Sequence, residues 1–206
     1  MRSLIPFAAT EPKTRLAPIL APDERAAFAR VMLSSVVETV IAADFEPTVL
    51  ATAQITDPLP AAASTVVDDQ PLTAAVNEQL ADGTPTLVVM ADLPLLRATD
   101  IHDLVGTDAD LTIAPGLGGG TNAFCTREPA FRVDYHGASY LDHCEIAADC
   151  GATVETVDSR RLATDIDEPA DLAEVLIHGD GAAREWLVDA GFELDTDDGR
   201  VGVRRQ

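Results

Sequence analysis

The feature that most constrains the fold is an alternation of short apolar segments, rich in β-branched residues, with longer segments of helical periodicity. Strands are predicted at residues 2–7, 47–51, 86–90 and 111–114. Residues 23–43 predict a long helix, because apolar side chains recur at every fourth position from Phe28 to Val40. Strands that alternate with helices indicate an α/β domain with a mostly parallel central sheet.

Shorter segments extend this pattern to the end of the chain. Further strands are expected at 65–67 and 153–157, and helices at 72–81, 99–105, 139–150, 169–178 and 182–190. A polar hairpin is predicted at 192–203, around Asp198-Gly199. We find no internal repeat and no linker, so residues 1–206 are predicted to form a single domain with a C-terminal hairpin tail at about 192–206.

The charge of the chain restricts its partners. The 206 residues include 35 Asp and Glu but 14 Lys and Arg, which gives a formal net charge of −21. Such a surface repels nucleic acid, so no nucleic-acid partner is expected. The composition resembles that of a cytosolic protein from a halophile, and a soluble acidic protein from another habitat is the alternative. An anionic ligand would need local cations, a metal ion or backbone amides.

Membrane and redox signals point to a cytoplasmic protein. No apolar run reaches the roughly 18 residues of a membrane span, and the first apolar run is too short for a signal peptide. Cys125, Cys144 and Cys150 form no C-x-x-C pair. We therefore expect no membrane association, and reduced thiols.

Lys13 is the only lysine of the chain. It lies in Glu11-Pro12-Lys13-Thr14-Arg15-Leu16, just after the first predicted strand. The lysine ammonium is a compact point charge that suits phosphate oxygens. A surface lysine in a loop is the alternative, but the acidic groups further along the chain favour a phosphate site.

Two acidic groups follow predicted strands. Asp92 comes after the strand at 86–90, and in open α/β sheets the ligand crevice lies at the carboxyl ends of strands. Asp165 and Asp167 flank Ile166, so in extended backbone they share one side. Together the three carboxylates suit Mg²⁺, which prefers oxygen ligands. The alternatives are a turn aspartate at 92 and a helix cap at 167.

Two glycine-containing segments offer further ligand contacts. The loop at 116–120 lets backbone amides approach a ligand, and Thr121 and Asn122 add hydrogen-bonding groups. In the second segment, His136 and Gly137 precede Ser139, which lies at a predicted helix N-terminus and can bind a carboxylate or phosphate. A flexible connection and an ordinary N-cap are the respective alternatives.

The remaining histidine, cysteine and arginine side chains that could bind a metal or an anion are interpreted as structural or as supporting residues beside the site. His136, His143 and Cys144 do not have the spacing of a zinc site. Arg160 and Arg161 are expected to pair with surface acids.

In combination, these motifs resemble the 2-phospho-L-lactate guanylyltransferases of coenzyme F420 biosynthesis. The resemblance covers most of the chain and is carried by residues 6–7, 12–16, 91–95, 118–122, 136–139 and 165–172. It implies a Rossmann-like nucleotidyltransferase domain of the GT-A type. The implied reaction joins GTP and 2-phospho-L-lactate and releases pyrophosphate.

The resemblance also implies roles for the motif residues. The catalytic residues would be Lys13, Arg15 and Asp92, of which Lys13 and Arg15 would bind the triphosphate and stabilise charge on the leaving pyrophosphate. The Mg²⁺ ligands would be Asp92, Asp165 and Asp167. The phospho-acid would be held by Thr121, Asn122, His136, Gly137 and Ser139.

One departure and several alternatives remain. A basic residue is expected soon after the first strand, but Ala8 and Ala9 stand there. The acceptor could instead be phosphoenolpyruvate or a molybdopterin, and a glycosyltransferase using Asp165 and Asp167 is a further rival. A non-catalytic nucleotide-binding regulator belongs to another class. A homodimer is expected.

Overall fold

A seven-stranded sheet forms the centre of the computed structural model, which describes residues 1–197, 199 and 201–206. The strands are β1 Arg2–Phe7, β2 Pro47–Ala51, β3 Ser64–Val67, β4 Thr86–Val89, β5 Leu111–Pro115, β6 Thr121–Thr126 and β7 Val154–Thr156. Their order across the sheet is β3-β2-β1-β4-β6-β5-β7. All neighbours are parallel except β6, which is antiparallel to both β4 and β5. The predicted α/β class with a mostly parallel sheet is confirmed.

Helices cover both faces of this sheet. They are α1 Pro22–Ala42, α2 Leu72–Leu80, α3 Ala98–Val105, α4 Ser139–Asp149, α5 Arg160–Ala163, α6 Leu172–His178 and α7 Ala182–Asp189. Short 3₁₀ turns lie at Thr14–Leu16 and Pro169–Asp171. The predicted helix boundaries therefore agree to within a few residues, while α5 was not predicted.

Strand β6 is the main departure from the sequence prediction, which ended its glycine-rich loop at residue 122 and assigned no strand after it. All six residues of β6 are buried. The strand lies between β4 and β5 with both faces covered, so it shows no polar–apolar alternation that would reveal it.

Three groups of buried side chains form the core. Ile5 and Val49 pack with α1 and α3 on one face of the sheet, whereas Leu4 and Val88 pack with α2 and α4 on the other. The opposite directions of adjacent residues follow from the strand pleat. A third group joins α1 to α6 and α7 through Phe28.

The C-terminal hairpin packs against this third group. Strands β8 Phe192–Asp195 and β9 Gly202–Arg205 are antiparallel. Phe192 is buried in the third group, and Arg205 pairs with Glu24 of α1 at 2.5 Å. The predicted turn residue Asp198 lies outside the described residues.

The carboxyl ends of β1, β2 and β3 lie side by side. Phe7 is opposite Ala51, and Ala51 is opposite Val67. The residues that follow them therefore leave the sheet at one edge, next to the end of β4. In the described part of the chain, no helix is long and apolar enough to cross a membrane.

Candidate active site

Lys13 lies between two carboxylates at this edge. Its Nζ donates to Asp92 Oδ2 at 2.5 Å and to Asp167 Oδ1 at 2.8 Å, and 11% of its side chain is exposed. Lys13 has the left-handed φ of 54°, and buried Leu16 anchors the turn that follows it. The sequence analysis predicted all three as site residues. They are far apart in the sequence, and the structure brings them together.

The electrostatics of this contact favour charged side chains. Burial by itself would lower the pKa of Lys13, but the Asp92 and Asp167 carboxylates outweigh it and raise the pKa above the ordinary value. Burial opposes ionisation of Asp167, but Lys13 and then Arg15 lower its pKa overall. Arg15 reaches Asp167 Oδ2 at 3.0 Å and is largely exposed.

Asp92 is fixed by the strand that precedes it and by the 165–167 segment. Its backbone carbonyl accepts a hydrogen bond from the Ile166 N–H at 3.1 Å, and the Ile166 side chain is fully buried. Asp92 Oδ1 is buried and has no hydrogen-bond partner among the described residues. A buried acceptor without a partner is costly unless a ligand satisfies it.

The third predicted carboxylate, Asp165, is held by Asn122. The Asn122 Nδ2 group donates to Asp165 Oδ1 at 3.0 Å and to the Leu162 carbonyl at 2.9 Å. Burial raises the pKa of Asp165, the Asn122 bond opposes this, and nearby Asp92 and Asp167 add to the rise. In this structure the Asn122 side chain thus orients a carboxylate.

The three carboxylates are near one another but are not arranged as a metal centre. Over residues 1–197, 199 and 201–206, no group of three or more His, Cys, Asp or Glu side chains is placed to hold a metal ion. The reason is local: Lys13 stands between Asp92 and Asp167, and Asn122 holds Asp165.

Thr121 and Ser139 belong to a buried chain of hydrogen bonds. The Thr121 N–H donates to Ser139 Oγ at 3.0 Å, and His143 Nδ1 lies 2.9 Å from Thr121 Oγ1. His143 Nε2 accepts from the Asp134 N–H at 2.9 Å, so the ring proton is on Nδ1 and is donated to Thr121. Burial lowers the pKa of His143 to about 4, despite the nearby acids. Both hydroxyl groups act as acceptors here, so their own hydrogens can be donated to a ligand.

His136 and Gly137 lie on the surface beside this chain. His136 is bonded to Asp134, and Gly137 has φ of 40°. Arg160 pairs with Glu174, as expected for an arginine outside the site. Thr121 and Asp92 belong to neighbouring parts of the sheet, because β6 pairs with β4 and the Met90 N–H donates to the Asn122 carbonyl at 2.9 Å.

A cleft of about 330 Å³ runs along the carboxyl edge from Lys13. Its Lys13 end is lined by Lys13, Thr14, Arg15, Asp92 and Asp167. The end formed by β2, β3 and α2 is lined by Leu50, Thr52, Asp68, Gln70, Leu72 and Ala75. This volume is in the range of small-ligand sites. The lining does not include the predicted phospho-acid residues Thr121, Asn122, His136, Gly137 and Ser139.

The polar residues at the β3 end were missed by sequence reasoning. Thr52 and Asp68 directly follow β2 and β3, and Gln70 lies two residues further. Their position just after predicted strands is the signal that could have identified them.

A family model and individual relatives indicate the same family over all or nearly all of the chain. The family described as "Guanylyl transferase CofC like" matches residues 1–206. The chain is 55% identical to the 2-phospho-L-lactate guanylyltransferase of Halorubrum lacusprofundi, with all of both chains covered. It is 46% identical to the protein of that name from Methanoculleus marisnigri, over 98% of this chain and 95% of the relative.

Solved structures support the predicted fold. A nucleotidyl transferase from Methanothermobacter has a TM-score of 0.58 at 12% identity, over 86% of this chain and 96% of that one. The 2-C-methyl-D-erythritol 4-phosphate cytidylyltransferase of Thermus thermophilus has a TM-score of 0.54 at 16% identity, over 87% and 96%. At these identities the likeness concerns the fold alone, and it is the nucleotidyltransferase fold that the sequence predicted.

Proposed function

The chain belongs to the CofC-like guanylyl transferase family, and on that premise we propose that it transfers GMP from GTP to 2-phospho-L-lactate. The reaction releases pyrophosphate and serves the biosynthesis of coenzyme F420. The observation that carries this proposal is the only lysine of the chain, which lies between Asp92 and Asp167 and lines the cleft.

The reaction needs charge neutralisation and alignment more than a protein nucleophile. A phosphate oxygen of 2-phospho-L-lactate attacks the α-phosphorus of GTP, a new P–O bond forms, and the bond to the bridging oxygen of pyrophosphate breaks. The attacking phosphate is already ionised at neutral pH, so no general base is required. Lys13 and Arg15 lie where they can donate hydrogen bonds to the triphosphate and stabilise the leaving pyrophosphate.

The three carboxylates have the oxygen chemistry that Mg²⁺ prefers, although in the described part of the chain they are not preassembled around an ion. Asp92 offers a buried oxygen that has no partner among the described residues, and Asp92 and Asp167 lie near enough to Asp165 to raise its pKa. Mg²⁺ commonly uses one or two carboxylates together with substrate phosphates, so the site does not need three preformed ligands. We propose that Asp92, Asp165 and Asp167 hold the ion, which when bound supplies positive charge to the phosphates.

The phospho-acid is proposed to bind beside Thr121 and Ser139. The hydroxyl hydrogens of these two residues are available, because each oxygen already accepts a hydrogen bond from the protein. Exposed His136 and the backbone at Gly137 flank the same place. We expect Ser139→Ala to raise the KM for the phospho-acid several-fold while the KM for GTP changes little, as steady-state kinetics with each substrate varied would measure.

The proposed activity is tested by incubating the purified chain with GTP, 2-phospho-L-lactate and Mg²⁺, at low and at multimolar potassium chloride. Pyrophosphate release, and a diphosphate-linked lactyl guanosine in the mass spectrum, are expected. No product at any salt concentration would overturn the proposal. Phosphoenolpyruvate shares the phosphate and carboxylate of the named acceptor, so the same assay with that acid tests the narrower choice of substrate.

We also propose a homodimer in the cytoplasm of a halophile. The acidic composition supports the habitat. Strand β3 lies at the edge of the sheet and all four of its residues are exposed, so its free side offers backbone groups for pairing with a second copy. Light scattering of the purified protein should give twice the 21.7 kDa chain mass; a single-chain mass at all salt concentrations would contradict the dimer.

A further inference from the structure

Asp68 places a carboxylate in the cleft at the end formed by β2, β3 and α2. It directly follows β3, and its N–H donates to the Ala51 carbonyl of β2 at 2.9 Å. Its Oδ1 accepts from the Gln70 N–H at 3.0 Å, and Oδ2 lies 3.3 Å from Gln70 Nε2. Among the described residues, no lysine or arginine pairs with Asp68, so its negative charge has no cationic partner from the protein.

Gln70, which positions the Asp68 carboxylate, is itself bound to a second acid. Gln70 Nε2 also donates to Glu78 Oε2 of α2, at 2.9 Å. Gln70 is therefore held from the helix and presents its amide groups to Asp68. A carboxylate held in this way is a preorganised acceptor.

A carboxylate in a site for a triphosphate repels the ligand unless the ligand turns hydrogen-bond donors towards it. Guanine has two adjacent donors, N1–H and the N2 amino group, which match the two oxygens of a carboxylate. Adenine and cytosine place a ring acceptor beside their amino group, and uracil has one donor between two carbonyls. Guanine alone of the four bases can bind a carboxylate with two parallel hydrogen bonds.

The distance across the sheet also suits a nucleotide. Asp68 follows β3 and Asp92 follows β4, and β2 and β1 lie between these strands. Three strand spacings amount to about 14 Å, which is comparable with the span from the base edge to the phosphates of an extended nucleotide. Leu50, Leu72 and Ala75 line the same end of the cleft and supply apolar surface for the base.

From this arrangement we propose that Asp68 selects guanine by accepting hydrogen bonds from N1–H and the N2 amino group, with Gln70 as the residue that positions it. The proposal rests on the proposed function, because it assigns the base site of the same reaction. The proposal gives a binding role to a carboxylate that would otherwise only repel an anionic ligand from the cleft.

The test compares GTP, ITP and XTP, which differ in the substituent at C2 of the base; xanthine also differs at N3, which carries a proton or, after its loss, a negative charge. ITP lacks the amino group, and XTP carries a carbonyl oxygen there. The wild-type enzyme should use GTP about 10- to 100-fold better than ITP, the range for one hydrogen bond to a charged group, and XTP least. In Asp68→Asn, the side-chain amide can donate to the XTP carbonyl, so XTP should gain while the preference for GTP over ITP disappears.

Asp69→Asn is the matched control, because Asp69 is exposed and does not line the cleft. It removes the same charge one residue away and should keep the wild-type order of the three nucleotides. A wild-type enzyme that used XTP as well as GTP would overturn the proposal without any variant. Unchanged nucleotide ratios in folded Asp68→Asn would also overturn it and leave the guanylyl transfer intact.

Failure of the proposed function would give a different result. In that case the wild type releases no pyrophosphate from GTP with either acid. Equilibrium binding of GDP, IDP and XDP to the wild type and Asp68→Asn then decides the base assignment independently: a preference for GDP that is lost in the variant supports it, and equal affinities in the wild type refute it.

Discussion

Replacing Lys13 by methionine should destabilise the protein in the absence of Mg²⁺, and Mg²⁺ should then stabilise the variant more than the wild type. The substitution leaves Asp92 and Asp167, with Asp165 nearby, without the ammonium that separates them. A fully buried pair that loses one partner costs about 3–5 kcal/mol. Here the Asp92 and Asp167 side chains are 22% and 35% exposed, so water reduces the loss to about 1–2 kcal/mol.

The loss can be measured as a change in melting temperature. For a chain of this length about 1 kcal/mol corresponds to roughly 2–4 °C, so Lys13→Met should melt about 2–8 °C below the wild type. Mg²⁺ that binds the freed carboxylates at 100 times its Kd would restore about 2.7 kcal/mol. In the wild type the ion competes with Lys13, so the same concentration of Mg²⁺ should raise its melting temperature less.

Differential scanning fluorimetry at constant ionic strength, with potassium chloride replaced by magnesium chloride, separates ion binding from screening. Arg30→Met is the control, since Arg30 pairs with Asp57 on the surface at 2.9 Å with both side chains well exposed; it should change stability by less than about 1 kcal/mol. An equal Mg²⁺ response in the wild type and Lys13→Met would refute the idea that Lys13 occupies the place of a cation.

Three further predictions concern activity, salt and pH. Asp92→Asn should keep the fold but lower turnover by roughly 10³-fold, the scale for a key electrostatic group; circular dichroism and pyrophosphate release check both parts, and near-normal turnover would contradict the role. With a net charge of −21, the melting temperature should rise with potassium chloride, because the Debye length falls to about 3 Å at 1 M; an unchanged melting temperature would remove the halophile proposal. Burial lowers the pKa of His143 in the folded state to about 4, from an ordinary value of 6.5, so its contribution to stability is present above pH 6.5 and is lost as the pH falls towards 4. The free energy of unfolding in urea should therefore differ between the wild type and His143→Gln by an amount that depends on pH between 6.5 and 4. A difference that stays constant over this range would count against a neutral buried imidazole.

The sequence predicted the parallel part of the fold because each strand there is a compact apolar run. Residues 47–51 were predicted as a strand and form β2 with the same bounds. The sequence did not reveal β6, since its threonines and Asn122 read as polar loop residues until the neighbouring strands bury them. Burial of this kind is a property of the assembled sheet and leaves no local signal.

For a similar reason, the sequence predicted one part of the candidate site and not the other. Lys13, Asp92 and Asp167 were assigned to one site because each follows a strand, and they do meet. The contact of Asn122 with Asp165 and the hydrogen bond of His143 to Thr121 depend on side-chain directions across elements that are far apart in sequence. Spacing along the chain carries no information about such contacts.

The reversed direction of β6 has a consequence for how such an enzyme could evolve. A parallel strand would bring its carboxyl end to the ligand edge, but β6 brings its amino end, and with it the loop at 116–120 and Thr121. Thr121, one of the proposed acceptor-binding residues, therefore follows a loop that is separate from the loops after β1, β2 and β3, which line the cleft. Substitutions at 116–120 or in the second acceptor segment at 136–139 should therefore change the acceptor without altering the residues that line the cleft, so one scaffold can diversify its products away from that cleft.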